Sequence, residues 1–297
     1  MPADYDRQQR ALLDAVWDDY DNDAPRLAYA DWLDSIGDPA DSARAEHIRL
    51  CVRFPQPRYK DGANQEAFRR RSELERKYQS AWLAGLPTRF DTGRANAIRG
   101  MYEQSIYATP QELLADGEQN FRRSPPDVAF QIHLRLPYGK KAVTATRPDW
   151  IALLGKPWWD RVLSLNCQGH GLGPEEADVI ASNRAFRRLR YLSLPRCPVG
   201  DVGVEALAAS AHLGQLQTLD LSSAGLTGRG AVALAGRANM PELRDIYLGG
   251  NDGIDAAGWD ALRTAVGTAG TVFSGPRRFG VTFGPGTAIH ADEDIPF

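Results

Sequence analysis

The chain has 297 residues, of which 43% are hydrophobic and 25% are charged. This composition is typical of a globular protein, and the length allows one large or two smaller domains. The formal net charge of −3 gives no basic field that would attract a polyanion, so we expect no nucleic-acid partner. The basic run at residues 69–71 lies among glutamates in a helical pattern and indicates a solvated helix face.

The sequence shows no clear feature of a membrane segment, a signal peptide or a disulfide-bonded protein. No stretch reaches the ~18 apolar residues needed to cross a bilayer, and the first residues lack the basic and apolar segments of a signal peptide. The three cysteines, Cys51, Cys167 and Cys197, are far apart and include no Cys-x-x-Cys pair, so neither a disulfide framework nor a zinc ribbon is indicated. We therefore expect a cytoplasmic protein with reduced thiols, no membrane partner, no metal and no cofactor.

Residues 1–90 show the apolar spacing of helices. The second helix should begin near Pro25, after an acidic segment that offers capping side chains, and end at Gly37. A third helix is predicted at residues 42–52 and a fourth at 65–83. The apolar positions are Leu12, Leu13, Val16, Trp17 and Tyr20 in the first helix, Tyr29, Trp32, Leu33 and Ile36 in the second, and Leu74, Tyr78, Ala81 and Trp82 in the fourth. We expect an all-helical domain here.

A repeat follows in the second half of the chain. Residues 189–199 fit the pattern L-x-x-L-x-L-x-x-[NC]-x-L, with valine in the last position, and two further copies begin at Leu216 and Leu243. The leucines at the same motif position, Leu194, Leu221 and Leu248, are 27 residues apart. Earlier, Leu165 and Leu136 precede at steps of 29 residues and indicate degenerate copies.

Alanine-rich helical segments separate the copies, so each unit is a strand plus a helix that needs its neighbours to cover its apolar face. The predicted fold class is α/β: a leucine-rich-repeat solenoid, with parallel strands on the concave face and helices outside, after the N-terminal helical domain. The predicted division is 1–90 for the helical domain, 91–158 for atypical capping and degenerate repeats, 159–272 for the repeats and 273–297 for a C-terminal cap and flexible tail.

Two family resemblances accompany this pattern. Residues 189–262 resemble leucine-rich repeats of the ribonuclease-inhibitor subtype, including the Gly-Asp-x-Gly-x-x-Ala-Leu helix start at 200–207. Residues 23–33 and 44–50 resemble the bacterial repeat-companion domain, whose Arg-Gly-aromatic strand appears at 99–102 with the aromatic displaced. That domain commonly precedes leucine-rich repeats, and the resemblance implies a non-catalytic accessory or interaction role.

Several chemical motifs have better structural interpretations. The segment 19–30 begins like a calcium loop, but it has Ala24 at position six and Ala30 at position twelve, so helix capping is favoured. Cys197 occupies the Asn/Cys position of the repeat, where the side chain bonds to backbone, rather than that of a nucleophile. The pair Trp158 and Trp159 is interpreted as core.

The variable positions of the repeat strands should face the concave surface, and we expect that surface to bind a protein or peptide partner. Asp220 in particular should be exposed between the buried Leu219 and Leu221. The predicted binding residues are Tyr191, Ser193, Arg196, Thr218, Asp220, Ser223, Asp245 and Tyr247. The protein is predicted not to be an enzyme, and membership of a larger complex stays open.

Two other functions remain alternatives. The first is a regulator that inhibits or activates a partner enzyme. The second is a hydrolase that uses Asp31 or Glu46 in the helical domain, although no residue spacing favours it. The acidic tail at 284–297 is either a flexible terminus or a docking motif.

Overall fold

A computed structural model of the chain describes residues 3–55, 62–87, 90–93, 95–136, 145–266 and 271–273. The chain divides into two compact units. The first comprises Met1–Ala108, Glu112–Ile132 and Arg161–Leu163, and the second comprises Thr109–Gln111, His133–Asp160 and Ser164–Phe297. The tail predicted at 284–297 lies outside the described residues. No helix in the described part of the chain is long and apolar enough to cross a membrane.

The first unit begins with the four helices predicted from the sequence. They are α1 (Ala3–Asp18), α2 (Ala24–Ile36), α3 (Pro39–Arg53) and α4 (Gly62–Trp82). The third helix begins earlier than predicted because the Asp38 side chain accepts hydrogen bonds from the backbone N–H groups of Ala40 and Asp41 and Pro39 fits the first turn. Gly37 ends α2 in the left-handed conformation, at φ +79°, as predicted.

One residue of the acidic segment, Asn22, caps the start of α2. The Asn22 Oδ1 atom accepts a hydrogen bond from the Ala24 backbone N–H at 3.0 Å. The Asp23 side chain makes no capping bond and instead accepts one from Arg99 Nη2 at 2.7 Å. The segment therefore caps the helix, as predicted, while its last aspartate contacts a later part of the same unit.

The apolar faces of the first three helices form the core of this unit. The rings of Trp17 and Tyr20 stack with centroids 5.9 Å apart, and each large buried side chain contributes roughly 1.5–3 kcal/mol of hydrophobic stabilisation. Ala81 is exposed, so its predicted inward position was wrong, because the adjacent Trp82 occupies the buried face. The main buried residues of the cluster are Leu13, Val16, Trp17, Tyr20, Tyr29, Ala30, Trp32, Leu33, Ala45, Ile48, Met101, Ala129 and Leu163.

A hairpin and most of a further helix and strand complete the unit, and the sequence did not predict them as such. The elements are β1 (Asp91–Thr92), β2 (Asn96–Ile98), β3 (Met101–Ala108), α5 (Pro110–Arg123) and β4 (Val128–Leu134). Both β1 and β2 pair antiparallel with β3. Arg99 and Gly100, between β2 and β3, have φ of +49° and +87°, the signature of a two-residue type I′ turn.

The second unit alternates strands and helices. Its elements are α6 (Arg147–Leu154), β5 (Val162–Asn166), α7 (Pro174–Ser182), β6 (Tyr191–Ser193), α8 (Gly200–Ala209), β7 (Thr218–Asp220), α9 (Gly228–Ala235), β8 (Asp245–Tyr247), α10 (Ala256–Val266) and β9 (Thr271–Phe273). Strands β5 to β9 are parallel neighbours in chain order. Helices α7 to α10 pack in the same order, which gives a mixed α/β arrangement with an open parallel sheet.

The register corrects one step of the predicted repeat. Leu165 pairs with Leu192, 27 residues later, so the residue equivalent to Leu194 is Cys167 and the predicted step of 29 residues was wrong. A shift of two residues keeps every side chain on the same face of a strand, so the apolar pattern alone does not exclude it. The repeat length is therefore 27 residues from β5 to β8.

The Trp158 and Trp159 pair is part of the core, as predicted. Both side chains are buried, and their rings stack with centroids 4.3 Å apart. The Trp159 Nε1 atom donates to the backbone carbonyl of Leu153 at 2.8 Å, and its ring contacts Phe186. A buried indole with its N–H satisfied is a packing element rather than the wall of an open pocket.

Candidate protein-binding surface

Strands β6, β7 and β8 place their side chains on two faces. Their central residues, Leu192, Leu219 and Ile246, are fully buried. The residues before them lie in register across the sheet, Tyr191 beside Thr218 and Thr218 beside Asp245, and all three are half-buried. Because side chains alternate along a strand, this outer row (Tyr191, Thr218 and Asp245) points away from the leucine core.

The second row of predicted binding residues is much less accessible. Ser193, Asp220 and Tyr247 also lie in register, but their exposed fractions are only 3%, 2% and 9%. Neighbouring strands are about 4.8 Å apart, so side chains in adjacent strands cover one another. The exposure that we expected for Asp220 was therefore wrong. The role of this inner row (Ser193, Asp220 and Tyr247) in binding stays a prediction.

Asp220 is held within its own repeat. Its Oδ1 atom accepts hydrogen bonds from the backbone N–H of Ser222 at 3.0 Å and from the Ser222 hydroxyl at 2.7 Å. Burial raises the pKa of Asp220, and these two bonds only partly oppose the increase. The carboxylate is therefore a local constraint on the bend after β7 as well as a negative charge close to the surface.

A second carboxylate, that of Asp245, lies on the next strand, β8. Burial also raises the pKa of Asp245, and the nearby Arg244 opposes the shift. Burial, together with the charges of Asp245 and Asp220, raises the pKa of Tyr247 to about 12. Both carboxylates therefore act on Tyr247, whose hydroxyl is protonated at neutral pH and can donate a hydrogen bond.

The bends after the strands present two more predicted binding residues. Arg196 and Ser223 are exposed, and both have left-handed backbone conformations, with φ of +58° and +55°. The equivalent positions one repeat earlier and later are Gly169 and Gly250, with φ of +72° and +73°. Non-glycine residues in this region cost about 1–3 kcal/mol each. The two middle repeats therefore keep side chains where glycine relieves the strain in their neighbours.

Cys197 has the structural role predicted for it. Its Sγ atom donates to the backbone carbonyl of Cys167 at 3.2 Å, and burial raises the pKa of the thiol. The Cys197 thiol thus satisfies a backbone hydrogen-bond acceptor at the bend. A buried thiol with a raised pKa is a poor nucleophile, because the thiolate is the reactive form.

The two carboxylates considered for hydrolysis lie in surface ion pairs of the first unit. Asp31 is 74% exposed and lies 2.6 Å from Arg49 Nη2. Glu46 accepts two hydrogen bonds from Arg70, at 2.7 and 2.8 Å, and these bonds lower its pKa. A general acid needs a raised pKa, so Glu46 has the opposite shift from the one that hydrolysis would favour.

Comparison with known families bears on the second unit. Residues 188–208 and 216–235 match the family model of the leucine-rich repeat. The first segment contains β6 and nearly all of α8, and the second contains β7 and α9. No curated protein is significantly similar to the chain. Leucine-rich repeats generally mediate protein–protein interaction and are typically non-catalytic.

Proposed function

We propose that the second unit is a leucine-rich-repeat solenoid that binds a protein or peptide partner, without catalysis, through its strands. We call the binding area the strand surface and define it as the outer row with Arg196 and Ser223. The observation that carries the proposal is the register of Tyr191, Thr218 and Asp245. Three half-buried, hydrogen-bonding side chains stand in one row opposite a fully buried apolar row.

The composition of the strand surface supports recognition of a protein. Tyr191 offers a large aromatic area with little loss of conformational entropy, while Thr218 and Ser223 offer adaptable hydrogen bonds. Arg196 and Asp245 supply opposite charges for orientation, since charge complementarity mainly sets specificity and association rate. Repeating strands provide such a surface in extended form, which suits a peptide or a folded partner better than a small substrate.

The finer family assignments form part of the same proposal. We propose the ribonuclease-inhibitor subtype for the repeats, because α8 begins at Gly200, the first residue of the motif at 200–207. We propose that the four helices of the first unit form a repeat-companion domain, because the motif at 44–50 lies within α3. We also propose that the chain divides at residues 90, 158 and 272. As an alternative function, we propose that the protein regulates a partner enzyme.

The test is differential affinity capture from the native cell. The bait is the full chain, either wild type or the triple variant Tyr191→Ala, Thr218→Ala, Asp245→Ala. These residues are chosen because they are half-buried, so truncation should leave the fold intact. We expect the wild type to retain a partner that the triple variant loses, because aromatic anchors dominate many interfaces.

The matched control changes exposed residues away from the strands. Val202 on α8 and Val232 on α9 are 58% and 54% exposed, and the variant Val202→Ser, Val232→Ser should retain the same partner as the wild type. Binding of the purified partner is then compared by calorimetry, with circular dichroism as the check on folding. A well-folded triple variant with unchanged affinity would contradict the proposal.

A further inference from the structure

A cleft of about 140 Å³ lies in the first unit between α4 and the β2–β3 hairpin. Three residues at intervals of four along α4 form one wall, and the hairpin with the residue before it forms the other. The lining residues are Arg71, Glu75, Gln79, Ala95, Asn96, Ala97 and Tyr102. At roughly 30 Å³ per water molecule, the space corresponds to a small polar group of a few heavy atoms.

Two hydrogen-bond donors at this cleft have no partner within the described residues. Tyr102 is 1% exposed, and its hydroxyl makes no hydrogen bond. The buried Nε atom of Arg71 also makes none, although its Nη1 atom donates to the carbonyl of Phe54 at 3.3 Å. Buried polar groups are nearly always paired, so two unpaired donors at one cleft indicate a missing acceptor.

The Tyr102 ring is held firmly in place. It stacks on the His47 ring with an interplanar angle of 10°, and the Arg44 guanidinium carbon lies 4.6 Å from its centre. Arg44 is in turn paired with Asp127 at 3.0 Å. Because these groups fix the ring, the hydroxyl position is set before any ligand arrives, which reduces the entropic cost of binding.

The charges at the cleft limit which kind of acceptor group it can bind. Burial raises the pKa of Tyr102, so the hydroxyl stays protonated and remains a donor at neutral pH. Arg71 carries a permanent positive charge. Glu75 is engaged by His47 Nε2 at 2.9 Å, and its negative charge opposes a second one nearby. Among the described residues that line the cleft, one arginine and one glutamate carry charge, and this pair suits a singly charged acceptor better than a phosphate dianion.

We propose that this cleft binds a carboxylate group, with the Tyr102 hydroxyl and the Arg71 Nε–H as its donors. The side-chain amides of Gln79 and Asn96 lie at the same cleft and offer further donors. The carboxylate belongs either to a free small acid or to an acidic side chain of a peptide. This site is separate in sequence from the strand surface, and the proposal does not depend on the function proposed for the second unit.

Nuclear magnetic resonance of the full chain tests the proposal directly, because the Arg71 Nε–H gives its own ¹⁵N–¹H signal. The probes are acetate and N-acetyl-glutamate amide, with N-acetyl-glutamine amide and inorganic phosphate as matched controls. We expect a saturable shift of the Arg71 signal with at least one carboxylate and weaker effects with both controls. Tighter binding of acetate indicates a free acid, and tighter binding of the glutamate derivative indicates a peptide side chain; both support a carboxylate site.

Variants separate the cleft from general charge effects. Tyr102→Phe removes only the hydroxyl and should weaken binding roughly five- to tenfold, as expected for one hydrogen bond. Arg71→Gln has no Arg71 signal, so binding to the arginine variants is followed by the backbone amide signals of β2 and β3, which line the cleft. Arg71→Gln should abolish binding, while Arg76→Gln, an exposed position on the same helix, should bind like the wild type. If Tyr102→Phe fails to fold, the comparison of Arg71→Gln with Arg76→Gln still decides. No saturable shift with either carboxylate, or equal binding by both arginine variants, would overturn the proposal.

Discussion

The Asn251 Oδ1 atom accepts a hydrogen bond from the backbone N–H of Ala224, the equivalent residue 27 positions earlier, at 3.0 Å. The same oxygen accepts another from the Leu226 N–H at 3.0 Å. Its Nδ2 atom donates to the carbonyls of Leu221 and Leu248, both at 2.9 Å. One buried carboxamide therefore satisfies four backbone groups in two successive repeats.

Asn251→Ala should destabilise the chain by roughly 2–4 kcal/mol, because it leaves buried donors and acceptors without partners. Unfolding in urea provides the measurement. The matched control is Asn239→Ala, since Asn239 is exposed and donates to a single carbonyl, that of Ala209; its effect should stay within about 0.5 kcal/mol. Similar losses in the two variants would argue against a special role for Asn251.

Leu219→Ala should cost roughly 2–5 kcal/mol, since Leu219 is fully buried and its truncation leaves a cavity. Thr218→Ala, one position earlier in the same strand, should change stability by only about 0.5 kcal/mol because Thr218 is half-buried on the outer row. The two variants are compared by the same urea titration. A cost for Thr218→Ala as large as that for Leu219→Ala would contradict the assignment of the two faces.

The repeat leucines could be predicted from the sequence because one apolar pattern fixes both period and face. Leu194, Leu221 and Leu248 are all fully buried, as the motif requires. The pattern failed at Leu165, where a two-residue shift preserves the face. It also failed for Asp220, because exposure in a sheet depends on neighbouring strands, and a single-strand pattern carries no information about them.

The cleft of the first unit could not be predicted for a related reason. Its walls come from α4 and from a hairpin whose turn depends on the φ angle of Arg99, a residue type that rarely adopts positive φ. In the sequence, residues 99–102 are recognisable only by their resemblance to the strand of the repeat-companion domain. Tyr102 is recognisable as a site residue only when its unpaired hydroxyl and the helix opposite it are both known.

The stability of the wild type should depend on the titration of Asp220. Burial raises its folded-state pKa above the unfolded value of 3.8, so the protonated form is favoured in the folded protein. This contribution is fully present below pH 3.8 and is lost as the pH rises through the folded-state pKa. Asp220→Asn removes the titrating group but keeps an oxygen that can accept from Ser222.

The free energy of unfolding of the wild type relative to Asp220→Asn should therefore fall as the pH is raised from below 3.8 and then become constant. Urea titrations of both proteins at several pH values measure the difference, which cancels the titration of every other group. A difference that rises with pH would show that the folded-state pKa is lowered, contrary to the burial argument.

The three thiols should react slowly in the folded protein. Cys51, Cys167 and Cys197 are all buried and unpaired with one another, and burial raises the pKa of each, to about 11 for Cys51. A disulfide reagent that releases a coloured product on reaction with a thiol should modify them only at the rate of unfolding or local opening in the native protein. In urea, the same reagent should modify them rapidly. Immediate modification of one thiol in the native protein would identify an exposed or activated cysteine.

Two glycines of the first unit allow strain and steric clash to be separated. Gly37 and Gly100 have similar left-handed backbones, with φ of +79° and +87°. An added Cβ at Gly37 would meet nothing within 4 Å, whereas one at Gly100 would lie 2.7 Å from the Cα of Ile48. Both alanine variants therefore carry the conformational strain, but only Gly100→Ala also forces two backbones apart.

Gly37→Ala should cost about 1–2 kcal/mol, the usual price of a left-handed alanine. Gly100→Ala should cost clearly more, because the clash is with buried backbone that cannot rotate away, and the hairpin must separate from α3. Urea unfolding gives the two values, and amide hydrogen exchange in β2 and β3 should accelerate in Gly100→Ala alone. Equal costs, with unchanged exchange in the hairpin, would mean that the turn does not pack against Ile48 as the structure places it.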